Sequence, residues 1–201
     1  PRGAEPALQA ALRLGADAAQ PALQAGLLED QAGQLGFRHE VARLAVEASL
    51  GAPQRHVLHA TAHAALLALD APASRRVQHA LQAGLMQHAV PEAEQAAAEA
   101  TQAGLHRQAA TLIGLRLNLP GDDAARRADW LEARSQAWTL CNELPLAMAD
   151  REAALDLRVL TGDSRGEGRN CLWLARLQWQ HAGQLSLARP WVDRAVRALQ
   201  P

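Results

Sequence analysis

Lysine is absent from the 201 residues, and so is tyrosine. Without lysine the chain has no phosphate-loop cation, no Schiff-base amine and no lysine general base, which removes Walker-type nucleotide hydrolysis and imine chemistry from consideration. Aromatics amount to 3% of the sequence, with one Phe and five Trp. Valine, isoleucine, phenylalanine and tyrosine are the residues that fill strands, so their scarcity argues against a β-rich fold. The two cysteines, Cys141 and Cys171, form no CxxC pair, which excludes a zinc ribbon. They fit buried thiols of a reducing compartment, and a cytoplasmic location is expected. No apolar run approaches 18 residues, so no membrane span is expected, nor does a basic-then-apolar leader open the chain. A net charge of −1 implies no bulk attraction to nucleic acid or anionic lipid. Because the sequence opens on Pro1 rather than Met, it is expected to be a segment of a longer product.

What remains is alanine and leucine, the best helix formers, and their periodicity predicts an all-α chain. Two stretches near the C-terminus share internal offsets. Trp138 and Trp179 are each followed four residues on by a turn residue (Asn142, Gly183). Five further comes an alanine (Ala147, Ala188), and seven beyond that Ala154-Leu155 and Ala195-Val196. Gly104 is likewise followed by Ala109. Offsets repeated in this way indicate stacked helix pairs, a tetratricopeptide-like right-handed array whose turn-to-turn distances of 38 and 41 residues are longer than the usual period. Small residues are expected where two helices cross closely, and Trp138 and Trp179 are expected to fill the core gaps beside them. Helices are expected at about 75–83, 88–103, 106–118, 123–141, 145–161, 166–182 and 185–199. Pro190 is suited to a helix start, which would leave the following Trp191 half exposed.

The N-terminal part reads differently. Helices are expected over 4–14 and from an Asp17 cap to Leu28, followed by a β-hairpin in which 27–31 and 35–38 flank Ala32-Gly33-Gln34. Helices over His39–Leu50 and Gln54–Leu69 come next, with Gly51-Ala52-Pro53 between them. Helix, helix, hairpin, helix is a winged-helix order. The boundary is placed at Asp70-Ala71-Pro72, giving a winged-helix-like segment at 1–70 and helical repeats at 71–201.

Leu23, Gly26-Leu27-Leu28, the block Phe37-Arg38-His39-Glu40-Val41-Ala42-Arg43 with Ala45-Val46, and Arg55 with Leu58-His59-Ala60 resemble the winged-helix tail of the nucleotide-binding module in large bacterial ATP-binding LuxR-type regulators (STAND/AAA type). Ala103-Gly104, His106-Arg107, Ala109-Ala110, Arg151-Glu152, Ala154-Leu155, Gly162-Asp163 with Arg165 and Gly168, and Leu172, Ala175-Arg176-Leu177, Trp179 and Gly183 resemble their tetratricopeptide-like region. The resemblance implies a middle segment of such a regulator, with the ATP/ADP-binding module before it and a helix-turn-helix after it. It implies that Arg38 and His39 sense the nucleotide's phosphate from the hairpin exit, and that the repeats take a protein partner or small effector. No cofactor belongs to the segment itself. The alternative is a free-standing tetratricopeptide-like scaffold without a nucleotide switch.

Other constellations read more plainly. Gly162-Asp163-Ser164-Arg165-Gly166 matches the hydrolase elbow GxSxG, but a helix rather than a strand is expected before it; Ser164 with Glu167 reads as a capping box. His56, His59 and His63 share a helix face and would chelate zinc only if a carboxylate converged on them, so they are read as surface histidines and no metal site is expected. Arg13, Arg38, Arg43 and Arg55 do not make a DNA reader, because the helix that would enter the groove, Ala18–Leu28, has no cation and ends at Glu29-Asp30. Trp130 and Trp191 are the candidate partner-binding aromatics. With no nucleophile-base pair in view, no enzymatic activity is expected.

Overall fold

One turn geometry recurs along the chain. At Gly84, Gly104, Asn142 and Gly162 the backbone is left-handed, with φ between 60° and 70°. The residue after each donates its amide to a carbonyl five back: Leu85 to Ala80, Leu105 to Ala100, Glu143 to Trp138, Asp163 to Arg158, all at 2.8–2.9 Å. This is the helix stop in which a left-handed residue lets the chain satisfy the last carbonyls and turn back; Gly adopts it without a Cβ clash and Asn tolerates it. Gly183 repeats the left-handed conformation. Five residues beyond Gly84, Gly104, Asn142 and Gly183 stand Ala89, Ala109, Ala147 and Ala188, all buried. The turn-and-alanine pattern read from the sequence is therefore present, with Gly84–Ala89 as a further instance.

The computed structural model describes residues 19–31, 34–183 and 185–200. Helix makes up 78% of it. Among the described residues there are ten helices: α1 Gln20–Gln24, α2 Glu40–Ser49, α3 Ala52–Ala68, α4 Ala73–Gln82, α5 Met86–Gln102, α6 His106–Leu117, α7 Ala124–Leu140, α8 Leu144–Leu160, α9 Ser164–Ala182 and α10 Leu185–Leu199. Strands β1 (Leu28–Gln31) and β2 (Gln34–Phe37) pair antiparallel, with Leu28 opposite Phe37. The chain forms two compact units, 1–92 and 93–201, that divide inside α5. In the first, β1 lies against α1, β2 against α2, and α3 against α4. In the second, α6 through α10 pack in sequence, each on the next.

Several expectations need correction. The helix over 4–14 and the Asp17 cap lie outside the described residues. The second helix is one turn and a half, ending well before Leu28, because Gly26 turns left-handed (φ 68°) and leads into β1. Ala52 and Pro53 do not lie between the two helices but open α3, in whose first turn a missing proline amide costs nothing, and Gln54 Oε1 accepts from the Gly51 amide at 3.0 Å. Pro190 does not open α10 but lies inside it. The cap of α9 is Asp163 rather than Ser164: its Oδ1 accepts from the Gly166 amide at 2.8 Å, while Glu167 pairs with Arg194 at 2.9 Å. A helix does precede this turn, so the elbow reading fails on context.

The second unit's core is built largely from alanine, and the space that small side chains leave is filled by arginine stems. Arg116, Arg151 and Arg158 are all at least 94% buried. Their aliphatic stems occupy volume as a leucine would, while their heads find acceptors. Glu132 on α7 gathers three of these contacts: Oε1 accepts from Arg158 Nε at 2.9 Å and from Asn170 Nδ2 at 2.7 Å, and its backbone carbonyl accepts from Arg151 Nη2 at 3.1 Å. Asn170 Oδ1 accepts from Arg151 Nη1 at 3.2 Å, and Ser135 Oγ donates to the Ala147 carbonyl at 2.7 Å. Helices α7, α8 and α9 are thus joined through one buried polar network. Desolvation pushes the Arg151 guanidinium down to about 10.

Candidate functional site

Arg38 and His39 lie where the sequence reading placed them, between β2 and α2. Both are exposed. The Arg38 amide donates to the Leu27 carbonyl at 3.0 Å, closing the hairpin one residue beyond the ladder. His39 is the N-cap of α2 with extended backbone (φ −132°, ψ 135°), and its side chain makes no capping bond. Arg38 and Glu40 form no ion pair: Glu40 pairs with Arg43, which also reaches Glu47. The i,i+3 and i,i+4 spacing within α2 is what captures Glu40. Arg38 and His39 are thus both exposed at a hairpin–helix junction, with Arg38 Nη1 lying close to Gly26.

The tryptophans divide by helical phase. Trp138 is half-buried, seven residues after buried Leu131 and three after buried Ser135, on the inward stripe of α7. Trp179 holds the same offset from its turn but is 54% exposed, because it lies seven residues after Leu172, itself 48% exposed, on the outward face of α9. The expected core role of Trp179 is thus wrong. An equal distance from the turn did not mean an equal phase against the neighbouring helices. Trp191 is partly buried against Leu155, Cys171, Leu174 and Ala195. Trp130 is half-buried beneath the Arg116 guanidinium (5.9 Å to the ring centre), and its Nε1 is buried without a hydrogen-bond partner among the described residues. The Arg151 and Arg176 guanidinium groups lie over the Trp173 ring, 4.6 and 5.5 Å from its centre. Cys141 and Cys171 are both free thiols, and burial pushes Cys171 up from the ordinary thiol value.

The first unit holds a groove of about 750 Å³ along α2, α3 and α4. Leu44, Leu50 and Leu58 give it an apolar wall; Arg55, His59 and His79 give it polar points. Arg55 Nη1 donates to the Leu50 carbonyl at 3.0 Å. His59 and His79 face each other across the groove, Nδ1 to Nδ1 at 3.0 Å, so one ring donates and the other accepts. His79 sits below the usual histidine value, first because burial penalises its charged form, then because of His59, His63 and Arg75 nearby. A depressed value means the unfolded chain binds the proton more readily, so native stability falls as pH drops through about 6.5. His79→Gln removes that proton linkage. The melting temperature of the wild type is expected to fall further than that of the variant between about pH 7.5 and pH 5.5; parallel curves would refute the coupling.

One helix turn from His59, His63 enters a second cluster. It is 3% exposed, and its Nε2 lies 2.9 Å from Oε1 of Glu92, which is 5% exposed. His88, one turn before Glu92 on α5, faces the His63 ring at 5.0 Å between centres. Arg76 on α4 brings Nε to 3.3 Å from the same Glu92 oxygen. Of the three histidines grouped by the sequence reading, the structure sends His59 to His79 and His63 to Glu92, and leaves His56 exposed. His88 and Glu92 were missed. Their i,i+4 spacing was visible, but the helix that supplies the third group was not.

Compared with protein-family models, curated proteins and solved structures, the chain matches none. No helix among the described residues is long and apolar enough to cross a membrane.

Proposed function

We propose that the chain is the regulatory, protein-interaction segment of a bacterial ATP-binding LuxR-type transcriptional regulator. Residues 71–201 are a right-handed tetratricopeptide-like array that takes a protein partner or small effector, and the winged-helix-like segment relays that state to a nucleotide-binding module in cis. The segment acts in the cytoplasm, catalyses nothing, carries no cofactor of its own and touches neither DNA nor membrane. Any effector works only through different affinity for the two states of the switch.

The observation that carries this reading is the iterated turn: four helix stops of one geometry, with a buried alanine placed five residues after the left-handed position in most of them. Repeated units of this kind present one extended surface, which is what repeat arrays bind with. Leu172 and Trp179 on α9, both about half exposed, supply apolar contact points there. Arg38 and His39, exposed at the hairpin exit, are the residues we assign to the nucleotide's phosphate, which accepts from donors and favours positive charge.

The natural reading frame tests the assignment directly. A GxxxxGK[ST] loop is expected upstream of Pro1 and a helix-turn-helix downstream of Pro201. A natural protein with neither would leave only the free-standing scaffold.

A further inference from the structure

We propose that His63, His88 and Glu92 form a binding site for a divalent transition ion of the zinc class, independent of the regulator reading. The three ligand atoms, two imidazole nitrogens and one carboxylate oxygen, lie within 4.8 Å of one another. A tetrahedral zinc with bonds of 2.0–2.2 Å holds its ligand atoms about 3.3 Å apart, so small rotations of these side chains converge them. Two ligands come from one face of α5 by i,i+4 spacing, and the third from the facing surface of α3.

A second observation points into the same spot. Glu92 Oε2 is buried and makes no hydrogen bond among the described residues. Leaving a carboxylate oxygen dry costs stability unless something electropositive meets it. Oε1 is already engaged by His63 and by Arg76, so Oε2 is the oxygen left to bind a metal. Arg76 holds the carboxylate in place, and its positive charge moderates the affinity for a dication. His88 is only half-buried and gives the ion a way in. Two histidines and one carboxylate fill three of zinc's four positions, leaving the last to water. His59 and His79, also a close imidazole pair, have no carboxylate within that set and serve as the internal control.

The test is Co²⁺ titration of the chelator-treated full chain, read by the visible d–d absorption of a tetrahedral ion. One equivalent is expected to bind and to be displaced by Zn²⁺, with a rise in melting temperature. His88→Ala, at a half-buried position, and Glu92→Gln should each weaken binding at least tenfold, while His56→Ala and His79→Ala bind as the wild type does. Far-UV circular dichroism checks that each variant is folded; if Glu92→Gln is not, His88→Ala decides alone. No tetrahedral absorption at one equivalent, unchanged binding in His88→Ala, or loss confined to His79→Ala would each overturn the site.

Discussion

Glu132→Ala is expected to destabilise the second unit by about 3–5 kcal/mol, the range for breaking a buried ion pair by removing one partner. The side chain removed is small, so the loss comes from what it leaves behind. Arg151 and Arg158 are each 6% exposed; the Glu132 carboxylate accepts from Arg158 at 2.9 Å and stands 3.9 Å from Arg151, while the residue-132 backbone carbonyl that accepts from Arg151 survives the substitution. Arg158 keeps Asp129 as a partner, and Arg151 keeps Asn170. Arg151 has no carboxylate left at close range, and burial already disfavours its charged form, which lowers it to about 10. Glu132→Gln retains the shape and one acceptor, so it should lose less. The decisive comparison is with Glu132→Leu combined with Arg151→Met. Replacing a buried polar set by apolar groups of similar volume is often neutral or stabilising. Urea midpoints for the three variants separate an uncompensated charge from a cavity; equal losses in the first and third would mean packing, not charge, dominates.

Leu174→Ala is expected to cost about 2–5 kcal/mol, the range for a large-to-small change in a core. Leu174 is fully buried in a cluster with Leu155, Cys171 and Ala195, with Met148 and Trp191 packed around it. Two of the four buried members are no larger than cysteine, so few long side chains stand ready to collapse into the space, and the upper half of the range is expected. Trp179→Ala on the same helix provides the contrast. It deletes far more side chain, yet from an outward face, and should change stability by about 0.5 kcal/mol or less. A Trp179→Ala loss as large as that of Leu174→Ala would show that the outward face of α9 is covered in solution.

Helix positions were legible to within about two residues for α5 through α10, because left-handed turn residues punctuate an alanine–leucine background that has nothing else to form. The buried alanines at Ala109, Ala147 and Ala188 followed from the same offsets. Caps were less legible: Asp163 and Ser164 are both good capping residues, and only the position where the backbone turns distinguishes them. Trp179 was misplaced because a fixed distance from a turn does not fix the angle at which a side chain meets its neighbours. The buried arginines were invisible, since a charged residue is ordinarily a surface residue and nothing local marks the exception. His63 finding Glu92 is a contact 29 residues apart, set by how α3 meets α5. Sequence periodicity shows which face of a helix is apolar, not which residue of another helix will stand opposite.

The central claim, that this segment reports to a nucleotide switch, is tested most directly by the rate at which the full-length regulator releases ADP. If His39 meets the phosphate as proposed, His39→Ala removes one charge-assisted hydrogen bond, about 1.5–3 kcal/mol, and should speed release tenfold or more. An unchanged release rate in a folded His39→Ala protein, or a full-length protein that binds no nucleotide, would contradict it.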